Sequence, residues 1–244
     1  MSGMVLSSLS ERAVDIANRT MSAWAFYYLV GDALINNRSL SVARMGDGER
    51  QLMESCADAS KRWRAADSMV SDYDEAWRKR MGIEGITYGE LHRRLLSAGN
   101  DSDYFAPNIS GITQPYYSVH DLFRPREQYV DNFFVNVWTQ QAQAELYKTA
   151  GSLIFLHASR GLADALQIRC RDVLGVRVHY FELNNWRQLD EAVEHIIGLD
   201  APLVLYSGGP ALKCLGADVT RYSNKVVLDI GNAADYWSLL NYHP

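Results

Sequence analysis

Cysteine is scarce in this sequence, with three among 244 residues. Cys56, Cys170 and Cys214 are odd in number and far apart, which argues against a disulfide framework. No CxxC or HxxxH spacing occurs, so a structural zinc site is not expected. Long apolar runs are missing too. The longest, Ala23 to Val30 ("AWAFYYLV"), is closed by Gly31 and Asp32 well short of the roughly 20 residues that span a bilayer, and predicts a core-facing helix instead. "MSGMVLSSLSER" carries neither a basic start nor a sustained apolar stretch, so no secretory signal is visible and a cytoplasmic location is the expectation. There is no Pro/Gly/Ser-rich linker and no internal repeat, and the length prior favours one domain over 1–244. An excess of positive charge is also absent. The net charge of -5 argues against a protein that coats nucleic acid indiscriminately and leaves only a local basic face open.

What is present is a globular composition, 48% hydrophobic and 22% charged, enough to build a real core. Apolar positions at helical spacing over 10–37 (Val14, Ile16, Ala17, Met21, Trp24, Ala25, Tyr28, Leu29) predict an N-terminal helical segment within 1–39, stopping at "INNRS". "SLSVAR" reads as a short strand, Glu49 to Met69 as a helix, and "SDYDEAWRKRMG" continues that character to Gly82. Gly, Pro, Asn and Tyr are scattered over 83–126, which predicts a loop-rich segment with one short helix near Tyr88 to Ser97. A helix follows at about Pro125 to Ala150. From there strands ("GSLIFLHASRG", "VRVHYFELNN", "APLVLYSGGP", "NKVVLDIGN") alternate with helical stretches, the signature of a parallel sheet with helices on both faces. The prediction is a single Rossmann-like α/β domain, with the N-terminal strand joining the same sheet. Ligands in such sheets sit beyond the carboxyl ends of the strands, which makes neighbours of Asp47, His157, Ser159, Gly208 and Asp229.

The turn "MGDGER" places Asp47 and Glu49 two residues apart. They can share one ion only if the turn stays unwound, since a helix would send them to opposite sides. Gly46 and Gly48 make the unwound path cheap, and Mg²⁺ or Mn²⁺ takes one or two carboxylates with water and phosphate completing its shell. The competing reading has Asp47 capping a helix that starts at Gly48, with Glu49 complementing its dipole. Local sequence alone favours the helix start, and a methyltransferase-like cofactor loop is a weaker third reading.

Four other stretches could carry chemistry. "LYSGGPALK" offers backbone N–H groups of Gly208 and Gly209 to an anion, with Lys213 adding charge, or is a strand-to-helix turn with Pro210 at the first helical position. "HASRG" puts His157, Ser159 and Arg160 at a strand end, where Arg160 could clamp a diphosphate and His157 act as a base, or both are structural. "VVLDIGNAADYW" delivers Asp229 to a strand end before Gly231 and Asn232, as a sugar contact, a base or a turn acid, while Tyr236 and Trp237 read as core. "KRWRAADSMVSDYDEAWRKR" interleaves basic and aromatic residues as in nucleic-acid grips, but its acids favour a solvated helix face.

In order, these motifs resemble the GT-D-type glycosyltransferases, a family first catalogued as a domain of unknown function. Its strand ending in Arg-hydrophobic-Gly-Asp-Gly-Glu is matched at Arg44, Gly46, Asp47, Gly48 and Glu49. Its Ser-Arg-hydrophobic-Gly segment is similar to Ser159, Arg160 and Gly161, its Asn-containing strand end to Asn184 and Asn185, its Gly-Pro-Thr-Ala loop to Gly209, Pro210 and Ala211, and its Asp-Ile-Gly-His segment to Asp229, Ile230 and Gly231. The chain departs from the pattern at Asn232, where the family has His, and at Ala211, which follows Pro210 without the Thr. The resemblance implies a metal-dependent transferase that takes a sugar from a nucleotide diphosphate sugar, UDP-sugar first. It implies Mn²⁺ or Mg²⁺ on Asp47 and Glu49, nucleotide-sugar contacts from Arg44, Gly46, Gly48, Ser159, Arg160, Asn184, Gly208, Gly209, Pro210, Gly231 and Asn232, and Asp229 as sugar contact or base. The acceptor, shaped by 83–126, would be a glycan, a glycoprotein or a modified DNA base. A non-catalytic nucleotide-binding module and a Rossmann-like methyltransferase are the alternatives.

Overall fold

A computed structural model describes residues 11–46, 48–49, 52–53, 55–56, 69–70, 74–107 and 122–238. Among them the strands are β1 (Thr20–Met21), β2 (Leu40–Met45), β3 (Tyr104–Pro107), β4 (Tyr129–Val130), β5 (Ser152–His157), β6 (Arg177–Glu182), β7 (Leu203–Ser207) and β8 (Val226–Asp229). Six of these form one sheet in the order β3-β2-β8-β7-β5-β6, and every neighbouring pair in it is parallel. β1 and β4 pair separately, also in parallel. The central strands are near-continuous apolar runs, as a sheet covered on both faces requires.

Alternation along each strand divides the core. Leu153, Phe155, Leu203, Leu205, Val226 and Leu228 pack with residues of the helices Ala23–Ile35, Gln140–Ala150 and Arg160–Arg169. Their neighbours Ile154, Leu156, Val204, Tyr206 and Val227 pack on the other side with Ala192 and Ile196 of the helix Leu189–Gly198 and with Leu215 and Val219 of Leu215–Thr220. The result is a three-layer α/β/α domain. A third cluster gathers Met45, Leu52 and Met53 with Ile83, Leu91 and Phe105, so the segment after β2 is anchored against the β3 edge. Side-chain caps from Ser22, Thr139 and Ser159 start three of the helices, each contributing about 1 kcal/mol.

The N-terminal segment departs from the expected continuous helix. It is two helices, Glu11–Asn18 and Ala23–Ile35, broken where β1 pairs with β4 and Ser22 caps the second. The buried face of the second helix is Ala23, Phe26, Val30, Ala33 and Leu34, whereas Trp24 and Tyr28 are 41% and 72% exposed. Aromatic size drew the expected stripe to the wrong side. The helix expected through Met69 has ended before it, because Met69 bridges antiparallel to Thr87 and the Val70 N–H donates to the Ile86 carbonyl at 3.0 Å. A new helix, Glu75–Arg80, starts on the Asp74 cap and carries Arg78, Lys79 and Arg80. The rest of the basic and aromatic stretch, from Lys61 to Tyr73, lies outside the described residues except for Met69 and Val70.

Of the segment 83–126, residues 108–121 lie outside the described residues, and the part before them holds more regular structure than expected. It supplies the helix Tyr88–Asp101 and the sheet's edge strand β3. Asp103 fixes that edge, accepting from the Ser41 N–H at 2.7 Å and the Ser41 hydroxyl at 2.9 Å. Pro107, which donates no ladder hydrogen bond, is tolerated at the end of an edge strand. The helix expected over Pro125 to Ala150 is instead β4, the short helix Phe134–Val137 and the helix Gln140–Ala150. Among the described residues no helix is long and apolar enough to cross a membrane.

Candidate functional site

At the carboxyl end of β2 the chain passes Gly46 into helical residues Gly48 and Glu49, while Asp47 lies outside the described residues. Glu49 turns back on the strand end: its Oε2 accepts the Gly46 N–H at 3.0 Å, the return arm of a capping box. A Cβ on residue 46 would stand 3.0 Å from that same oxygen, whereas one on residue 48 would meet nothing within 4 Å. Glu49 thus serves the helix start and also faces a cation.

That cation is Lys213. Its Nζ is 2.7 Å from Asp229 Oδ2 and 3.3 Å from Glu49 Oε1, and both Lys213 and Asp229 are buried. Asp229 Oδ2 also accepts the Arg44 N–H at 3.1 Å. The ends of β2 and β8 and the turn after β7 are therefore joined by one charged cluster. Burial alone would raise the Glu49 pKa, but the Lys213 ammonium and the backbone N–H groups outweigh it and hold the carboxyl below its ordinary value. Burial likewise works against the Lys213 ammonium, yet Asp229 and Glu49 raise its pKa above the ordinary value. Asp229, expected as a sugar contact or base, is 1% exposed and occupied on Oδ2 by these two partners. Its carboxylate holds the cluster together.

Arg44, expected on phosphate, is turned inward. Its Nε donates to the Asn132 carbonyl at 3.0 Å and its Nη1 to the Ile230 carbonyl at 2.9 Å, with Phe134 beneath it. Gly231, at φ 48°, is needed because a Cβ there would stand 2.9 Å from Arg44 Nη1. Asn232 beside it is exposed.

The glycine loop after β7 is packed by the protein itself. A Cβ on Gly208 would lie 2.8 Å from both Leu183 and Leu212, and one on Gly209, at φ 77°, would collide with the Met81 carbonyl. Pro210 opens the short turn Pro210–Leu212 that delivers Lys213. The segment Gly82 to Ile86 lies against the end of β6, where the Trp186 N–H bonds the Gly82 carbonyl at 3.0 Å and the Trp186 indole the Glu84 carbonyl at 3.0 Å. Asn184 is exposed, with its amide on Glu182 at 3.1 Å.

Connections run from β5 outward to β6 and from β7 back to β8, so the strand order reverses between β5 and β7, the position where open α/β sheets bind ligands. His157 and Ser207 are paired there. His157 Nδ1 accepts the Ser159 N–H at 2.8 Å, and desolvation lowers its pKa against the pull of Asp235, so it is held neutral. The Ser159 hydroxyl caps the following helix. Arg160 is exposed, paired with Asp164 at 3.0 Å and lying over the Tyr180 ring. Two surface hollows around Ser152, Arg177 and Lys225 lie at the opposite, amino end of the strands.

Among the described residues no group of three or more His, Cys, Asp and Glu gathers as for a metal held by protein alone. The donor chemistry does fit Mg²⁺ or Mn²⁺, which needs only one or two carboxylates: Glu49 is kept ionised, and each of its oxygens has a lone pair beyond its present partner. The contact that sequence reasoning missed is Lys213 on Glu49 and Asp229. Its signal was a single charge inside the apolar run "PALKCLG", where burying an ammonium requires a nearby carboxylate.

No family model matches the chain, and neither does any curated protein. A solved structure described as "The highly conserved domain of unknown function 1792 has a distinct glycosyltransferase fold" matches with a TM-score of 0.57, over 95% of this chain and 83% of that one, at 16% identity. The likeness extends over nearly the whole chain and shows a common fold. The α/β domain described above therefore shares the fold of that structure.

Proposed function

We propose that the chain is a metal-dependent glycosyltransferase that moves a sugar from a nucleotide diphosphate sugar, UDP-sugar first, to an acceptor. The observation that carries this reading is the buried Glu49–Lys213–Asp229 cluster at the end of β2, within a glycosyltransferase fold. Asp47 and Glu49 would hold Mn²⁺ or Mg²⁺, which offsets the charge building on the leaving diphosphate. Arg44 and Asp229 act by locking the ends of β2 and β8 beside Gly46 and Glu49. The N–H groups around Gly48, Gly208 and Gly209, with Ser159 and Arg160 across the β5–β7 reversal, line the place for phosphate and nucleotide. Asn184, Pro210, Gly231 and Asn232 border it. The acceptor is a glycan, a glycoprotein or a modified DNA base, taken on the side of residues 83–126.

The test is incubation with a panel of nucleotide sugars and Mn²⁺, with and without Asp47→Ala. Sugar transfer or hydrolysis that needs both the metal and Asp47 is expected, and its absence across the panel sinks the reading. A second reading, a nucleotide-binding module without turnover, is favoured by the inward engagement of Asp229, which leaves no free base at that position. Released nucleoside diphosphate in the same panel eliminates it. A salt-sensitive DNA mobility shift separates a DNA acceptor from the others.

A further inference from the structure

Lys213 carries more than a structural pairing needs. Asp229 alone would balance the charge of a buried ammonium at 2.7 Å, yet the same Nζ also reaches Glu49, on a different element and beside the candidate donor site. An ammonium has three N–H donors, so two carboxylates leave one over. The neighbouring Arg44 guanidinium bonds the carbonyls of Asn132 and Ile230, which leaves Lys213 as the described cation that touches the acidic turn. A diphosphate brings several negative charges and gains from every fixed cation within reach.

We propose that Lys213 is a built-in cation of the donor site, binding the diphosphate together with the divalent ion, so that a nucleoside diphosphate also binds when no divalent ion is present. This rests on the nucleotide-sugar reading above. It assigns Lys213 a ligand contact beyond holding Glu49. The turn Pro210–Leu212 puts it there, because it starts at the glycine loop after β7 and ends beside Glu49.

The experiment is titration calorimetry of the full chain with UDP, GDP and ADP, in Mn²⁺ and again in excess chelator. The nucleotide that binds with Mn²⁺ is expected to bind in chelator about 10- to 100-fold more weakly, the range for losing charge-assisted contacts. Removing Lys213 alone would strand Asp229, so the variant is Lys213→Met with Asp229→Asn, its fold checked by circular dichroism. It is expected to lose at least about tenfold in chelator, while its affinity for Mn²⁺ alone, read by electron paramagnetic resonance, stays level or rises because a repelling charge is gone. A nucleotide that binds wild type with Mn²⁺ but not in chelator overturns the inference and leaves the transferase reading standing. So does a double variant that matches wild type in chelator, or one that weakens Mn²⁺ alone as much as nucleotide. Failure of every nucleotide to bind with Mn²⁺ overturns both.

Discussion

Lys213 and Asp229 form a buried ion pair, Nζ to Oδ2 at 2.7 Å, that ties the turn after β7 to the end of β8. A buried charge without its partner is costly, so the two residues stand or fall together.

Asp229→Ala should therefore destabilise the domain by about 3 kcal/mol, because it takes the nearer partner from a buried ammonium and leaves it only Glu49 at 3.3 Å. Pairing Lys213→Met with Asp229→Asn removes both charges and should restore most of that loss. Urea unfolding of the three proteins checks it; equal destabilisation by the single and double variants would falsify the coupling.

Acid should act through Glu49. Its folded pKa lies below the ordinary 4.5, so the unfolded chain takes up the proton first as pH falls. The stabilisation is present above about the ordinary value and is lost as pH drops through the lower, folded one. Thermal midpoints measured from pH 6 downward should decline more steeply for wild type than for Glu49→Gln. Parallel curves would show that Glu49 gains nothing from Lys213.

In the half of the chain from β5 to β8, the strands β5, β7 and β8 were legible because they are buried on both faces and read as apolar runs, and the half-exposed edge strand β6 because turn signals and helical stretches flank it. β3 was not, since four residues, Tyr104–Pro107, sit amid Asp, Ser, Asn and Pro, and an edge strand needs little apolar pattern. The break between the first two helices was hidden because β1 pairs with β4, far along the chain. In the candidate site the motifs do fall at carboxyl ends of strands of one sheet, yet no local pattern tells that Arg44 and Asp229 point inward. That follows from the carbonyls of Asn132 and Ile230 and from Lys213, contacts between distant parts of the chain.

Gly209→Ala should separate the glycine loop's packing from any ligand. Its φ of 77° and the Met81 carbonyl over it make a side chain there strained and crowded, at a cost of about 1–3 kcal/mol. The loss should appear in unfolding without nucleotide, and faster hydrogen exchange should appear around Gly82 to Ile86. Unchanged stability would mean that the Met81 contact is not made.

Gly48→Ala tests the opposite case. Gly48 is helical and a Cβ there meets nothing within 4 Å, so alanine should stabilise by about 0.5–1 kcal/mol. For a chain of this size that raises the melting temperature by roughly 1–4 °C. If a diphosphate comes close to the backbone of this turn, the added methyl should still weaken nucleotide binding by about tenfold or more, the equivalent of about 1.4 kcal/mol. Asp47→Ala should lose Mn²⁺-dependent binding with little change in stability. A Gly48→Ala protein that is more stable and binds nucleotide as wild type does would remove the turn as a phosphate contact, and leave its glycine with no role that packing explains.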